Sequence, residues 1–398
     1  MPPHVRAAGP SSPDVARPPA EYSCFPNESQ RYLLKAALLD GDEALTASRA
    51  WQQRIDLDII DEGSRRLLPL MYRAMQARGE AWSELGRLRG IYRQTWYRNN
   101  LLMGRLGALI ATLESAGVPT MVLKGVPLAL TYYRNTALRP MSDADLLIPA
   151  SAAGQVLTTV REAGWSPRDV RLPWPPRFTA SQSFAGPLGL DLDLHCHVLH
   201  ESRAVDADDS FWTAALPIEV GGVRTRMLHP SDQLLHIVAH GFRRSTVPPV
   251  RWLADAMVLI RESGATLDWR RFVEQARARR LTRLSGRALR YLSELLHVPV
   301  PDDALTALDG SRHGVVERVE CWGRADAGLT RLLAEKWTEY QRASGLEQDW
   351  QGPLGFPHFV RDQLGLAHTW QVPSAIGARL AQRQRLGHHR PEPTDVLP

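Results

Sequence analysis

The segment from Thr120 to Pro149, TMVLKGVPLALTYYRNTALRPMSDADLLIP, constrains the fold more than any other part of the chain. Met121, Val122 and Leu123 make an apolar run with the length of a short buried strand. Lys124-Gly125 breaks the run, and Val126 to Arg134 has helical spacing. A second strand is predicted from Asp143 to Ile148. Alternation of side chains puts Asp143 and Asp145 on one face and Ala144 on the other. Leu146, Leu147 and Ile148 follow without polar interruption, so both faces of this strand are predicted to be covered. Two carboxylates that close repel each other unless something positive lies between them, and a divalent metal is the usual answer.

A second polar strand follows at LDLDLHCHVL, within a hairpin predicted from Phe178–Phe184 and Leu188–Leu199 around Ala185-Gly186-Pro187. By the period of two, Asp191, Asp193, His195 and His197 share one face. One reading of that face is a zinc site made from Asp191, His195 and His197. The hard oxygen donors of Asp143 and Asp145 favour magnesium over zinc.

The run LKGVPLAL…RPMSDADLLI resembles the nucleotidyltransferase superfamily of polymerase-beta-like enzymes, and more narrowly the bacterial nucleotidyltransferase family proteins. Toxin-type nucleotidyltransferases carry a similar LKG…R…D-x-D run. The resemblance covers most of the chain from about Glu28, with motif-grade matches only at Lys124–Ile148 and at the later LDLH. The chain departs from the superfamily pattern in that Val126 follows Gly125 where Gly or Ser is usual, and Asp143 lies 18 positions beyond that glycine. The resemblance implies an α/β fold: a small mixed-sheet nucleotidyltransferase core, flanked by an N-terminal helical cap and a C-terminal helical domain. It implies catalytic, metal-binding carboxylates at Asp143 and Asp145, completed by Asp193 from the Asp-x-His pattern. The nucleotide is expected at Lys124, Gly125 and Arg139, with His195 beside them. The implied cofactor is Mg²⁺ or Mn²⁺, with an NTP as co-substrate and an unidentified hydroxyl or phosphate acceptor. The alternative is a catalytically inactive nucleotide- or RNA-binding protein of the same fold; a metal-dependent phosphohydrolase is a third reading.

The rest of the chain sets the frame. Residues 1–27 are rich in Pro, Ala and Ser without periodicity and are predicted to be disordered. The helical cap is assigned to 28–100, the core to 101–200 and the C-terminal helical domain to 201–398. Helical spacing over Trp82–Ala116 ends at Gly117, and the aromatics Trp82, Tyr92, Trp96 and Tyr97 are read as core. Net charge is +5, a mild excess that permits a nucleic-acid partner without indicating one. Lysine occurs only at 35, 124 and 336, so Lys124 is either a phosphate contact beside the glycine turn or a strand-end residue reaching solvent. Arg139 is read in the same two ways, as a phosphate contact or as half of a salt bridge. The Pro- and Arg-rich stretch Arg168–Arg177 is read as a connector. Downstream of Asp206 the pattern is mostly helical; His236 and His240 are expected as a satisfied pair, and Asp255 as a salt bridge to Arg251. Three isolated cysteines, the lack of a signal-peptide pattern and the absence of a membrane-length apolar run predict a cytoplasmic chain without membrane contact.

Overall fold

The structure, a computed structural model, describes residues 25–378 except 170–173, 175–178, 205, 244–249, 312–313, 324–328 and 344–353. Most of the predicted disordered N-terminus and the basic C-terminal tail lie outside the described residues.

A mixed sheet of seven strands in the order β3-β4-β5-β2-β1-β7-β6 forms the centre. Its strands are β1 (Met121–Leu123), β2 (Asp143–Leu147), β3 (Ser166–Pro167), β4 (Ser181–Ala185), β5 (Asp191–His195), β6 (Leu216–Val220) and β7 (Val223–Met227). β1 and β2 run antiparallel, whereas β2 with β5 and β1 with β7 run parallel. The fold class expected from the sequence is therefore present. The β6–β7 hairpin interrupts the mostly helical pattern read from Asp206 onward, and the sheet extends past residue 200 to Met227. Its signal was weak because Leu216, Ile218 and Val220 alternate with Pro217 and Glu219, the pattern of an edge ribbon.

Five helices precede the sheet: α1 (Glu28–Leu38), α2 (Gly41–Gln52), α3 (Glu62–Arg65), α4 (Leu68–Arg78) and the long α5 (Leu85–Ser115). α5 ends where Gly117 takes φ +77°. A single turn, α6 (Gly125–Pro127), leads into a wide turn over Leu128–Tyr132, in which Tyr133 N donates to Leu128 O at 2.9 Å. α7 (Ala153–Glu162) and α8 (Asp209–Thr213) connect strands, and α9 (Pro230–Gly241) and α10 (Arg251–Ser263) open the C-terminal helices.

The two sheet faces have different neighbours. Even-numbered residues, Val122, Ala144, Leu146, Leu192 and Leu194, pack in one apolar cluster with Leu102, Leu106 and Leu109 of α5 and Val156 and Val160 of α7. Odd-numbered residues on the other face, Met121, Leu123 and Leu147, join a second cluster. That cluster takes Leu33, Leu34 and Trp51 from the N-terminal helices and Leu235, Leu253 and Leu289 from the C-terminal ones. The helices on either side of the sheet segment thus share one core. Trp82 and Tyr92 pack against it, as expected, but Trp96 and Tyr97 are 54% and 63% exposed and are not core residues. They sit on the outward side of α5, whose inward side is already filled by Thr95, Asn99 and Leu102.

Candidate functional site

The odd-numbered face of β2 and β5 is where the polar strand residues meet the helices. Parallel pairing sets Asp143 opposite Asp191, Asp145 opposite Asp193 and Leu147 opposite His195. The register fixes which acids converge, because each strand shows only every second side chain on this face. Ligand atoms of Asp145, Asp193 and His195 lie within 4.8 Å of one another.

Each acid is held differently. Asp145 is buried, and one of its carboxylate oxygens accepts from both Lys124 Nζ and, at 3.0 Å, His195 Nε2. Burial opposes its charge, but Lys124 and His195 outweigh that and hold the carboxyl well below the usual carboxylate range. Asp143 accepts from Ser142 Oγ at 2.9 Å; burial, then the charge on Asp145, pushes its carboxyl up. Asp193 accepts from Ser183 Oγ of β4 at 2.6 Å. Asp191 is bound by Arg168, Nε at 2.9 Å, and is drawn into an ion pair at the strand's edge.

Lys124 therefore does not reach out to solvent: its ammonium pairs with Asp145, from a backbone at φ +47°. A long side chain in that region is uncommon and costs about 1–2 kcal/mol, which the Asp145 contact offsets. Gly125 is held to glycine by its neighbours, since a Cβ there would come within 2.6 Å of both Arg139 Nη1 and Met141 Sδ.

Arg139 is buried and forks onto Asp255 of α10, Nε to Oδ1 and Nη2 to Oδ2, both at 2.9 Å. Tyr133 Oη donates to Asp255 Oδ1 at 3.0 Å. The expected ion pair of Asp255 with Arg251 is present at 3.9 Å, and Arg251 Nη1 also donates to Pro140 O at 2.5 Å. Two guanidiniums thus share one carboxylate; burial, then repulsion from Arg139, brings Arg251 down to about 10, still charged at neutral pH. Asn99 of α5 fixes the turn that carries Arg139, its Nδ2 donating to Arg139 O at 2.9 Å and its Oδ1 accepting from Met141 N at 3.3 Å.

These residues line a cavity of about 370 Å³ between the sheet and the helices α9 and α10. Among the described residues, five cations (Arg66, Lys124, Arg139, Arg243, Arg251) and three carboxylates (Asp143, Asp145, Asp255) face it. The excess of positive charge around an acid pair suits an anionic ligand whose charge is bridged to the acids by a cation.

Two further lining residues were missed or misread from the sequence. Gln233 and His236 of α9 are each 1% exposed, yet neither amide atom of Gln233 and neither ring nitrogen of His236 has a hydrogen-bond partner. His236 is thus not the satisfied residue expected, although it lies edge-on to His240 with ring centroids 6.5 Å apart. Leaving a buried polar atom unpaired costs about 1–3 kcal/mol. The only sequence signal for Gln233 is its place one turn before His236 on the same helix face.

The zinc reading is not supported: Asp191 is paired with Arg168, and His197 Nδ1 meets Asp208 Oδ2 at 2.9 Å. Among the described residues, the one group of three or more potential ligands is Asp145, Asp193 and His195. Its chemistry fits a divalent cation. Both ring nitrogens of His195 face acceptors, His197 O at 3.2 Å and Asp145 at 3.0 Å. A cation at His195 Nε2 would meet carboxylate oxygens of Asp145 and Asp193 as well.

A mixed sheet whose parallel pair brings acids beside a cation-lined cavity, covered by helices, is consistent with a nucleotidyltransferase core. The family model for uncharacterised nucleotidyltransferases matches residues 63–297, and the chain belongs to that family. The match takes in every residue that lines the cavity, from Arg66 to Asp255, and the Asp145, Asp193 and His195 cluster. No curated protein matches the chain. No helix among the described residues is long and apolar enough to cross a membrane.

Proposed function

We propose that the protein transfers a nucleoside monophosphate from an NTP to a hydroxyl or phosphate acceptor, with Mg²⁺ or Mn²⁺, as a cytoplasmic enzyme of the polymerase-beta-like superfamily. The observation that carries this reading is the register of β2 on β5, which sets Asp145 beside Asp193 with Asp143 one step along the same face. Asp143, Asp145 and Asp193 would hold the metal, which would offset the charge of the phosphates and polarise the bond under attack. The acceptor oxygen attacks the α-phosphorus, the bond to the bridging oxygen breaks, and pyrophosphate leaves. Asp193, whose second oxygen is free of the Ser183 bond, is suited to take the acceptor's proton. Lys124, Arg139 and Arg251 line the same cavity and supply the positive charge that phosphates require.

A second reading, a nucleotide-binding protein without catalysis, draws support from Gly125. The space a Cβ would fill there is taken by Arg139 and Met141, not left open. One experiment separates them. The protein is incubated with Mg²⁺, each α-labelled NTP and fractionated cell extract, and transfer of label and pyrophosphate release are followed. Label transfer that disappears in Asp193→Ala supports the enzyme. Tight Mg²⁺–NTP binding without transfer from any fraction supports the binding protein. Failure to bind any NTP overturns both.

A further inference from the structure

The cavity divides its lining by chemistry. Arg139 and Arg251 bring charge, with Lys124 beside the acids, whereas Gln233 and His236 bring four neutral, buried and unpartnered polar atoms. A buried carboxamide and imidazole without partners are a pair of donor–acceptor edges waiting for a complementary one. We propose that Gln233 and His236 recognise the nucleobase of the bound nucleotide; the proposal rests on the nucleotidyltransferase reading above and names the part of the substrate this corner of the cavity holds.

Three observations select a base over a phosphate or a metal. Burial, then the nearby Lys124 ammonium, lowers the affinity of His236 for a proton, so its ring is neutral at physiological pH and offers one donor and one acceptor. A carboxamide matches the adjacent donor and acceptor on a base edge, as glutamine does with adenine in nucleic-acid recognition. Leu128, Ile237 and Trp252 line the same cavity and give a flat heterocycle apolar surface to rest on. A base placed there leaves its phosphates toward the cationic residues and the acids of β2.

The test compares Mg²⁺–NTP with Mg²⁺–tripolyphosphate, which carries the phosphates without a nucleoside. Calorimetry on the full chain is expected to show at least one of the four NTPs binding about tenfold or more tightly than tripolyphosphate. In Gln233→Met and His236→Phe that advantage should fall to threefold or less, with tripolyphosphate affinity unchanged. The melting temperature should stay level or rise, because orphaned polar atoms are replaced by apolar ones of similar size. Gln233→Leu serves if the methionine variant does not fold. The proposal is overturned if wild-type protein binds NTPs no better than tripolyphosphate, or if the variants keep the NTP advantage. Variants that bind NTP normally but lose transfer would move the pair to the acceptor and overturn it too. Absence of binding by both probes would instead bring down the nucleotidyltransferase reading itself.

Discussion

Asp143 and Asp145 are two positions apart on one strand face and have opposite electrostatics. Asp145 has two positive or donating partners, Lys124 and His195; Asp143 has a serine hydroxyl and two neighbouring carboxylates. The simple expectation that the pair repels and that its removal relieves strain therefore splits in sign. Asp143→Asn should raise the melting temperature at pH 7, by roughly 1–3 °C. Its carboxyl is raised in the folded state, so the ionised form costs stability. That cost disappears as pH falls through its folded value, and the gain from the substitution should vanish in acid. Asp145→Asn should do the reverse. It leaves the Lys124 ammonium without its carboxylate in a largely buried place and should cost about 3 kcal/mol at pH 7. The contribution of Asp145 is present above the ordinary carboxylate value and is lost as pH falls through its depressed one. Thermal melts of both variants across pH test the pair; parallel behaviour would show that the two acids share one environment.

At the scale of the element, β5 gives its two acids different neighbours. Asp193 faces the cluster with Asp145 and His195, while Asp191 is already neutralised by Arg168. Asp193→Ala is expected to lower transfer by about a hundredfold or more, whereas Asp191→Ala should change it by less than about tenfold. Steady-state transfer on the two variants checks the assignment, and an inactive Asp191→Ala would mean that the strand is shifted by one pair. The shared face of Asp191, Asp193 and His195 was legible in advance, because a period of two leaves a strand few choices and the hairpin around Gly186 was marked by its turn residues; the preference for Asp193 over Asp191 came only from the Asp-x-His resemblance. Lys124 beside Asp145 was not legible: sequence gives the residue at a strand end but not the left-handed φ that turns its side chain back. The Arg139–Asp255 fork was equally hidden, since 116 positions separate its halves and Arg251 stands at the helical spacing that normally claims such an acid. Gly125 was legible as the break after β1 and as an expected nucleotide contact, but the close approach of Arg139 and Met141 was not. Gly125→Ala should displace both side chains and weaken Mg²⁺–NTP binding by about tenfold or more, read by calorimetry.

For the whole molecule, the site exists only because helices from both ends of the chain close over one face of the sheet. Asp255 on α10 is the tie, receiving Arg139 and Tyr133 from the segment between β1 and β2. Asp255→Asn should leave two buried guanidiniums facing each other and cost about 3–5 kcal/mol in denaturant unfolding, together with most nucleotide affinity. A loss of affinity without loss of stability would show that the roof stands without this tie. The Lys124–Asp145 pair has a further consequence for the order in which ligands arrive. An ammonium seated on the carboxylate competes with any divalent ion for the same oxygen, and a phosphate is what can draw that ammonium away. Metal and nucleotide should therefore each bind weakly alone and reinforce one another together, by the same factor in either direction. The empty protein would thus be locked by its own cation, and the substrate would carry the key.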